Sequence, residues 1–317
     1  MESEMGGFEM GKIGAVIVLY HPNIEELKIS LGKLIPQVDS VCLVDNTGIK
    51  RTDLLFDPKI EYISIGYNAG IAAAQNVGVK YFAMKSFDYI IFSDQDSIAT
   101  DNLVRILESS YFALEGAGYR VATVGSTAIN VDTKTPYRRK MQPSRYIKGT
   151  DIGLSSNVIE CDSTRSSITL TAVDVLKEVG GFDEALFIDA VDNEWCWRAL
   201  ALLNLRTYVV EDAHIYHKLG EGDRKLFKIS IGISSPFRLY YQFRNYLWLC
   251  RRNYVPIYWK RKNLLRYIIK SFYFPLFVSP RLAYIKQIIN GILDGLFNSK
   301  NDDRTAASLK NATRFRN

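Results

Sequence analysis

Histidine and cysteine are scarce in this chain, three and four in 317 residues. Three histidines are too few for a Cys/His metal cage, and Cys42, Cys161, Cys196 and Cys250 stand far apart with no Cys-x-x-Cys pair. Such cysteines read as reduced, mostly buried thiols, which argues against a disulfide framework and for a reducing, cytoplasmic compartment. Uncharged apolar runs are short as well, below the ~18 residues that a membrane-crossing helix needs. The opening MESEMGGFEMGK is acidic and lacks the charged-then-apolar order of a signal peptide, so residues 1–11 are expected to be a flexible N-terminus. No internal repeat is visible.

The remaining shortage is local. Between Pro236 and Asn290 there are 11 Lys and Arg but no Asp or Glu, so the net charge of +6 hides a body with 29 basic and 34 acidic residues. A slightly acidic body with a basic tail points to an anionic partner for the tail. Otherwise the chain has the balance of a globular protein, with 47% hydrophobic and 23% charged residues. Its length suits one large domain or two.

The rest of the chain is organised around Asp88 to Ser97, DYIIFSDQDS. Tyr89 to Phe92 form an unbroken run of strand formers, which fits a strand buried on both faces of a parallel sheet. Asp94 and Asp96 follow where such a strand leaves the sheet, the crevice in which α/β proteins bind ligands. Two carboxylates one residue apart repel unless a cation or a ligand's donors lie between them. Mg²⁺ accepts one or two carboxylates and completes its shell with phosphate oxygens and water. The alternative is a solvated turn that caps the next helix.

Taken in order, Ile13–Tyr20 predicts a first strand, and Asn23 caps a helix from Ile24 to about Ile35. Short strands follow at Ser40–Val44 and Ile60–Ile65. Gly66-Tyr67-Asn68-Ala69-Gly70 opens a small-residue helix to about Phe82. After the Asp-x-Asp strand come a helix from about Asp101 to Leu114 and a fifth strand at Val121–Ala128. Lys134–Thr150 reads as a mobile loop. Ser166–Gly181 reads as a strand feeding a helix that stops at Gly180-Gly181. A further helix starts near Asp192, and a strand at Arg206–Val210 leads to His214 and His217. The expected class is α/β with a mostly parallel sheet covered by helices. Residues 12–234 would form the catalytic domain, 235–298 a basic, aromatic helical extension, and 299–317 a frayed tail.

Six motifs in order carry a resemblance: VIVLYHPN, VDNTG, GYNAGIAAAQNVG, FSDQDS, VGGFDEALFIDAVDNEWCWR and AHIYH. Over about Ile13 to Leu219 the chain resembles inverting sugar transferases of glycosyltransferase family 2, with the GT-A fold, and is most similar to bacterial dTDP-rhamnosyltransferases. RLYYQFRNYLW resembles that branch less specifically. The resemblance implies a divalent metal, Mg²⁺ or Mn²⁺, on the donor diphosphate. Asp96 would be its direct ligand, Asp94 would lie nearer the ribose, and His217 could complete the shell or close over the diphosphate. Gln95 departs from the family's pattern.

The same resemblance implies a nucleotide-sugar pocket. Asp45 would accept the imino N–H of a pyrimidine, although it could equally be a turn residue bonding its own backbone. Tyr20 would adjoin the nucleotide, and Asn68, Gly70 and Asn76 would shape the ribose and sugar pocket. Asp192 matches the acceptor's general base, with Asp189 in reserve because Val191 replaces the family's glutamate. Carboxylates at 192 and 194 lie about 200° apart on a helix, so Glu194 cannot share the site. Trp195 could pack under a sugar ring or in the core, and Arg244 could clamp a phosphate.

The implied reaction moves L-rhamnose from dTDP-rhamnose to a lipid-linked glycan precursor of O-antigen or capsule type. The acceptor would be polyprenyl-diphosphate-linked at the inner face of the membrane. Another UDP- or dTDP-sugar, or a non-catalytic glycan-binding protein, are the alternatives. The basic aromatic tail fits an anionic membrane surface; no nucleic-acid module is recognisable, and a homodimer stays open.

Overall fold

Apolar runs build the centre of the sheet. In a computed structural model, β1 (Ile13–Leu19) lies between β2 (Ser40–Asp45) and β4 (Tyr89–Asp94), and β3 (Ile60–Ser64) extends outward from β2, all parallel. The structure describes residues 11–315 except 52, 131–133, 137–142, 166, 218–222, 227–228 and 299–305, so the expected flexible N-terminus lies outside the described residues apart from Gly11. Leu19 is paired with Asp45 and Val18 with Asp94. This register delivers Tyr20, Asp45 and Asp94 to one carboxyl edge of the sheet, which is where α/β folds open a ligand crevice.

Beyond β4 the sheet is mixed. Its order is β3-β2-β1-β4-β9-β6-β10-β8-β7, where β6 is Val121–Asn130, β7 Pro143–Ile147, β8 Val158–Cys161, β9 Thr169–Ala172 and β10 Arg206–His217. A two-residue strand, β5 (Ile98–Ala99), also pairs with β10. The mostly parallel expectation therefore holds for the first four strands and for β6 with β10; β9 runs antiparallel to both neighbours. The segment between β6 and β9 has no crossover helix, so antiparallel pairing is open to it. Within the expected loop at Lys134–Thr150, Pro143–Ile147 is an edge strand, four of whose five residues are exposed. With no buried face, it shows no alternation to read.

Two apolar layers cover the sheet. On one face, α1 (Ile24–Leu34) and α3 (Leu103–Gly116) pack Leu27, Leu31, Leu107 and Tyr111 against Ile17, Ile91 and Tyr208. On the other, α2 (Ile71–Met84), α4 (Val173–Val179) and α5 (Val191–Leu203) bring Val79, Phe82, Leu176 and Trp197 onto Val16, Val44 and Phe92. Alternate β1 residues enter opposite layers, as the two-residue strand period demands. Asn23 caps α1 as its sequence predicts, accepting from the backbone N–H groups of Glu25 and Glu26.

A small hairpin, β11 (Asp223–Leu226) with β12 (Ile229–Gly232), leads to α6 (Pro236–Arg251), α7 (Ile257–Phe277) and α8 (Arg281–Phe297). Leu239, Phe243, Phe274, Tyr284 and Ile288 give these helices a core of their own. Gly291 and Gly295 let α8 lie directly on α6: an added Cβ would stand 2.5 Å from the Tyr240 carbonyl and 2.6 Å from Leu247. The extension nevertheless reaches the catalytic body, because Trp248 and Leu249 of α6 belong to the α2–α4–α5 layer. The tail expected to fray contains a seventh-turn helix only in part outside view: α9 (Ala306–Ala312) buries Leu309, and Thr313 O accepts from Gly181 N at 3.0 Å.

Candidate active site

The Asp-x-Asp turn is fastened to the neighbouring strand end by its middle residue. Gln95 accepts from Tyr20 N at 2.9 Å and donates to Tyr20 O at 3.2 Å. Gln95, the residue that departs from the family pattern, thus ties β4's exit to β1's exit, while the Tyr20 ring stays exposed. Asp94 and Asp96 are both partly exposed there. Asp94 Oδ2 accepts from the Ser167 hydroxyl, which fixes its carboxylate against the loop before β9. Register also brings β10 to this turn, since Tyr216 pairs with Ile98 and the strand ends at His217 opposite Asn130. The His217 side chain lies outside the described residues.

Asp45 is fully buried. Its Oδ1 accepts from Thr47 N at 2.8 Å and Thr47 Oγ1 at 2.6 Å, and its Oδ2 accepts from the Tyr62 hydroxyl. Burial first, and the Asp45 carboxylate second, push the Tyr62 phenol up. This is the turn geometry weighed in the sequence, with both oxygens already engaged. Asn46 links the turn to the next loop: its Nδ2 donates to Asn68 Oδ1 at 3.0 Å and its Oδ1 accepts from Ala69 N at 2.7 Å. Gly70 has φ +86°, and an added Cβ would come within 2.6 Å of the Phe187 ring. Only glycine meets both demands without strain. Asn76 is buried, donating to Phe182 O and Glu184 Oε1 at 2.9 Å each and accepting from Phe182 N at 2.8 Å, so it ties α2 to the loop ahead of α5.

That loop supplies the acids. Asp189 is held by Arg238 in a two-pronged contact, Nε to Oδ2 at 2.9 Å and Nη2 to Oδ1 at 2.8 Å. Asp189, and Asp94 more weakly, raise the Arg238 guanidinium's affinity for its proton. One cation therefore stands between the Asp-x-Asp end and the α5 loop. Asp192 occupies the second position of α5, after Ala190 as N-cap, so it is not the helix cap that the sequence allowed. It lines a narrow cavity with Thr164, Thr169, Phe182 and Trp195. Asn193 donates to Ser163 Oγ at 2.7 Å, fastening the same turn to the loop that holds Asp94 through Ser167. Trp195 is buried, with its indole N–H donated to Gly180 O at 2.8 Å. Its edge lines the cavity while its polar atom serves the core.

Glu194 points the other way, as the helical offset requires. It is fully buried with Arg198 (2.9 Å), Arg252 (3.7 Å) and Tyr254 (2.7 Å), and Arg252 reaches Asp183 at 2.6 Å. Burial would raise the Glu194 pKa, but Arg198 and Arg252 together hold it below its ordinary value. Arg244, expected at a phosphate, is turned inward. Its Nη2 donates to Ala185 O at 2.6 Å, and its guanidinium stacks over Trp248 at 4.2 Å and Tyr241 at 4.7 Å. Arg238, two turns earlier on α6, is the arginine at the site. Sequence reading missed Ser167, Gln95's fastening role and Asn245. Among them only Asn245 carried a local signal, its place in the RLYYQFRNYLW motif.

Asp94 and Asp96 fit a divalent cation by chemistry: two partly exposed hard oxygen donors at a strand end, one of them oriented by Ser167. Among the described residues no cluster of three or more His, Cys, Asp or Glu could hold a metal. The remaining ligands would come from a bound phosphate group and water.

No family model matches the chain. It is 34% identical over 292 residues to dTDP-rhamnosyl transferase RfbF of Shigella flexneri, covering 90% of this chain and 95% of that protein. A crystal structure of GalNAc-T7 with UDP, GalNAc and Mn²⁺ matches with a TM-score of 0.56 at 13% identity, over 89% of this chain and 55% of that one. The chain thus spans about half the length of that structure's chain, and the likeness is one of fold. With the GT-A architecture seen in the sheet and this relative along nearly its whole length, the protein is a glycosyltransferase that belongs to the dTDP-rhamnosyl transferase family.

Proposed function

We propose that the chain transfers L-rhamnose from dTDP-rhamnose, with inversion, to a sugar hydroxyl of a lipid-linked glycan precursor of O-antigen or capsule type. The observation that carries this is the likeness to a dTDP-rhamnosyl transferase over 90% of the chain, joined to the acids at β4's exit and α5's first turn. Asp94 and Asp96 would hold a divalent cation, which supplies Lewis-acid stabilisation of the charge gathering on the departing dTDP. Arg238 faces the same diphosphate as a second cation. The acceptor oxygen attacks the anomeric carbon from the face opposite the C–O bond to dTDP; that bond breaks, and the hydroxyl proton passes to Asp192.

A panel of nucleotide sugars tests the donor. Release of dTDP from dTDP-rhamnose should exceed release from other dTDP- and UDP-sugars, and it should fall in saturating chelator and return with excess Mg²⁺ or Mn²⁺. Preference for another sugar overturns the donor assignment, and full turnover in chelator overturns the metal's role. A bound donor with no turnover would leave a non-catalytic binding protein.

The acceptor's lipid calls for a membrane surface, and α7 and α8 offer one. No described helix is long and apolar enough to cross a bilayer. Instead Leu265, Ile268, Phe272 and Leu276 form an exposed stripe at helical spacing on α7, and Leu282, Ile285, Ile289 and Leu293 form another on α8. Lys262, Arg266, Arg281 and Lys286 are exposed on these same helices. Apolar arcs with basic flanks suit an anionic interface at the inner face of the cell membrane. Two copies facing each other would bring like charges together without an acid to offset them. Phe272→Asp with Leu282→Asp is expected to weaken binding to anionic vesicles by about tenfold or more, and added salt should weaken the parent's binding. Binding that survives both, or sedimentation as a dimer that the substitutions dissolve, would assign the stripes to a second copy.

A further inference from the structure

The loop that carries the acids is held in a conformation most residues avoid. Phe187, Asp189 and Ala190 have φ of 63°, 66° and 62°, so three residues with a Cβ sit at positive φ within four positions. Backbone of this kind persists only where its surroundings over-determine it, and such strain gathers at functional sites. What over-determines it here is α6. Asn245 Nδ2 donates to the carbonyls of Leu186 at 2.8 Å, Ile188 at 2.7 Å and Asp189 at 3.2 Å. Arg244 Nη2 donates to Ala185 O at 2.6 Å and Leu186 O at 3.2 Å. The two remaining carbonyls are also taken: Phe187 O accepts from Ile71 N and Ala190 O from Glu194 N.

We propose that Asn245, oriented by Arg244, is a positioning residue that fixes the spacing between the donor pocket and the catalytic carboxylate. The amide can face only one way. Its oxygen accepts from Arg244 Nε at 3.1 Å and Nη2 at 2.9 Å, which turns its NH₂ toward the three carbonyls. Flipping it would set an acceptor against acceptors. The loop it holds has one side against Gly70, where the Phe187 ring leaves no room for a Cβ, and runs at its other end into α5's first turn with Asp192. Arg238 adds a third grip from the same helix through Asp189. α6 thus belongs to the catalytic unit, although its sequence reads as the start of a separate basic extension. Asn245 touches no reacting atom; it acts through the backbone that carries Asp192.

This inference rests on Asp192 being the base, and its test has a readout that does not depend on that. In the full-length protein, Asn245→Ala should speed amide hydrogen exchange across residues 187–193 while leaving β1–β4 unchanged. It should also lower kcat by about 10²-fold, the scale of an ångström-sized misplacement, with the KM for donor little changed. Ala190→Gly in that background should recover part of kcat, since glycine adopts positive φ freely. A role in global stability alone would move Tm and leave kcat, measured well below Tm, untouched by either change. Arg244→Lys, which keeps the charge but loses the planar fork, is the milder variant should Asn245→Ala not fold, and it should show the same exchange signature and the same rescue. Unchanged exchange at 187–193, or unchanged kcat in an active parent, overturns the proposal. An inactive parent with the expected exchange change would instead indict the assigned reaction.

Discussion

Asp192→Asn is expected to lower kcat by about 10²–10⁴, the range for a lost general base, with donor and acceptor affinities nearly kept. Asparagine preserves the size and hydrogen-bonding shape of the side chain and removes the oxygen that takes the proton. Two observations select this carboxylate. The helix begins at Val191 with Ala190 as N-cap, so Asp192 has no capping duty that asparagine could fill equally well. The reserve acid, Asp189, is already gripped by Arg238 through both oxygens, and a carboxylate engaged in this way is a poor proton acceptor until the arginine leaves. Asp189→Asn should therefore cost far less in kcat and act mainly by loosening Arg238, read as a raised KM for donor. Initial rates under saturating donor and acceptor separate the two. An inert Asp189→Asn beside an active Asp192→Asn would transfer the base to Asp189, and Val191, standing where relatives carry glutamate, would be the reason for the shift.

What the sequence reveals is what local chemistry decides. β1 to β4, the Asn23 cap and the Asp-x-Asp exit are short-range patterns, and the structure reproduces them. Pro143–Ile147 was hidden because an edge strand exposed on most of its length needs no alternation. α9 was hidden because a seven-residue helix among polar residues signals nothing until Leu309 finds its slot and Thr313 its partner at Gly181.

The basic tail misled in a more instructive way. Counting 11 cations between Pro236 and Asn290 treats each as a surface charge. Arg244 and Arg252 are buried, the first on loop carbonyls and the second on Asp183 and Glu194. Arg251 spends its guanidinium on the Gly295 and Leu296 carbonyls that end α8. An arginine among aromatics reads the same whether it faces lipid, phosphate or a carbonyl 59 residues away, because the partner lies outside any window along the chain. The same holds for Glu194: its two-residue offset from Asp192 shows that it faces away from the site, while the cations that receive it are set by tertiary packing.

The second large effect is on stability, and it comes from that buried cluster. Asp183 and Glu194 balance Arg198 and Arg252, all four with almost no solvent contact. Glu194→Gln keeps the volume and leaves one guanidinium charge without its counter-ion, a change that typically destabilises by about 3–5 kcal/mol. The pH dependence fixes the mechanism. Because the folded Glu194 pKa lies below its unfolded value, its contribution is complete above the unfolded value of about 4.3 and is lost as pH falls through the folded one. Denaturant midpoints measured from pH 7 down to pH 3 should therefore show parent and variant far apart at neutral pH and converging in acid. The parent should have the steeper fall. A gap that stays constant with pH would mean that the variant suffers from packing and not from charge. Arg252→Met, which removes the matching cation, should be rescued in part by Glu194→Gln, since the double change returns the cluster to neutrality with Arg198 opposite Asp183. Failure of that rescue would show that Arg252 is needed for its reach from the end of α6 to Asp183, beyond its charge.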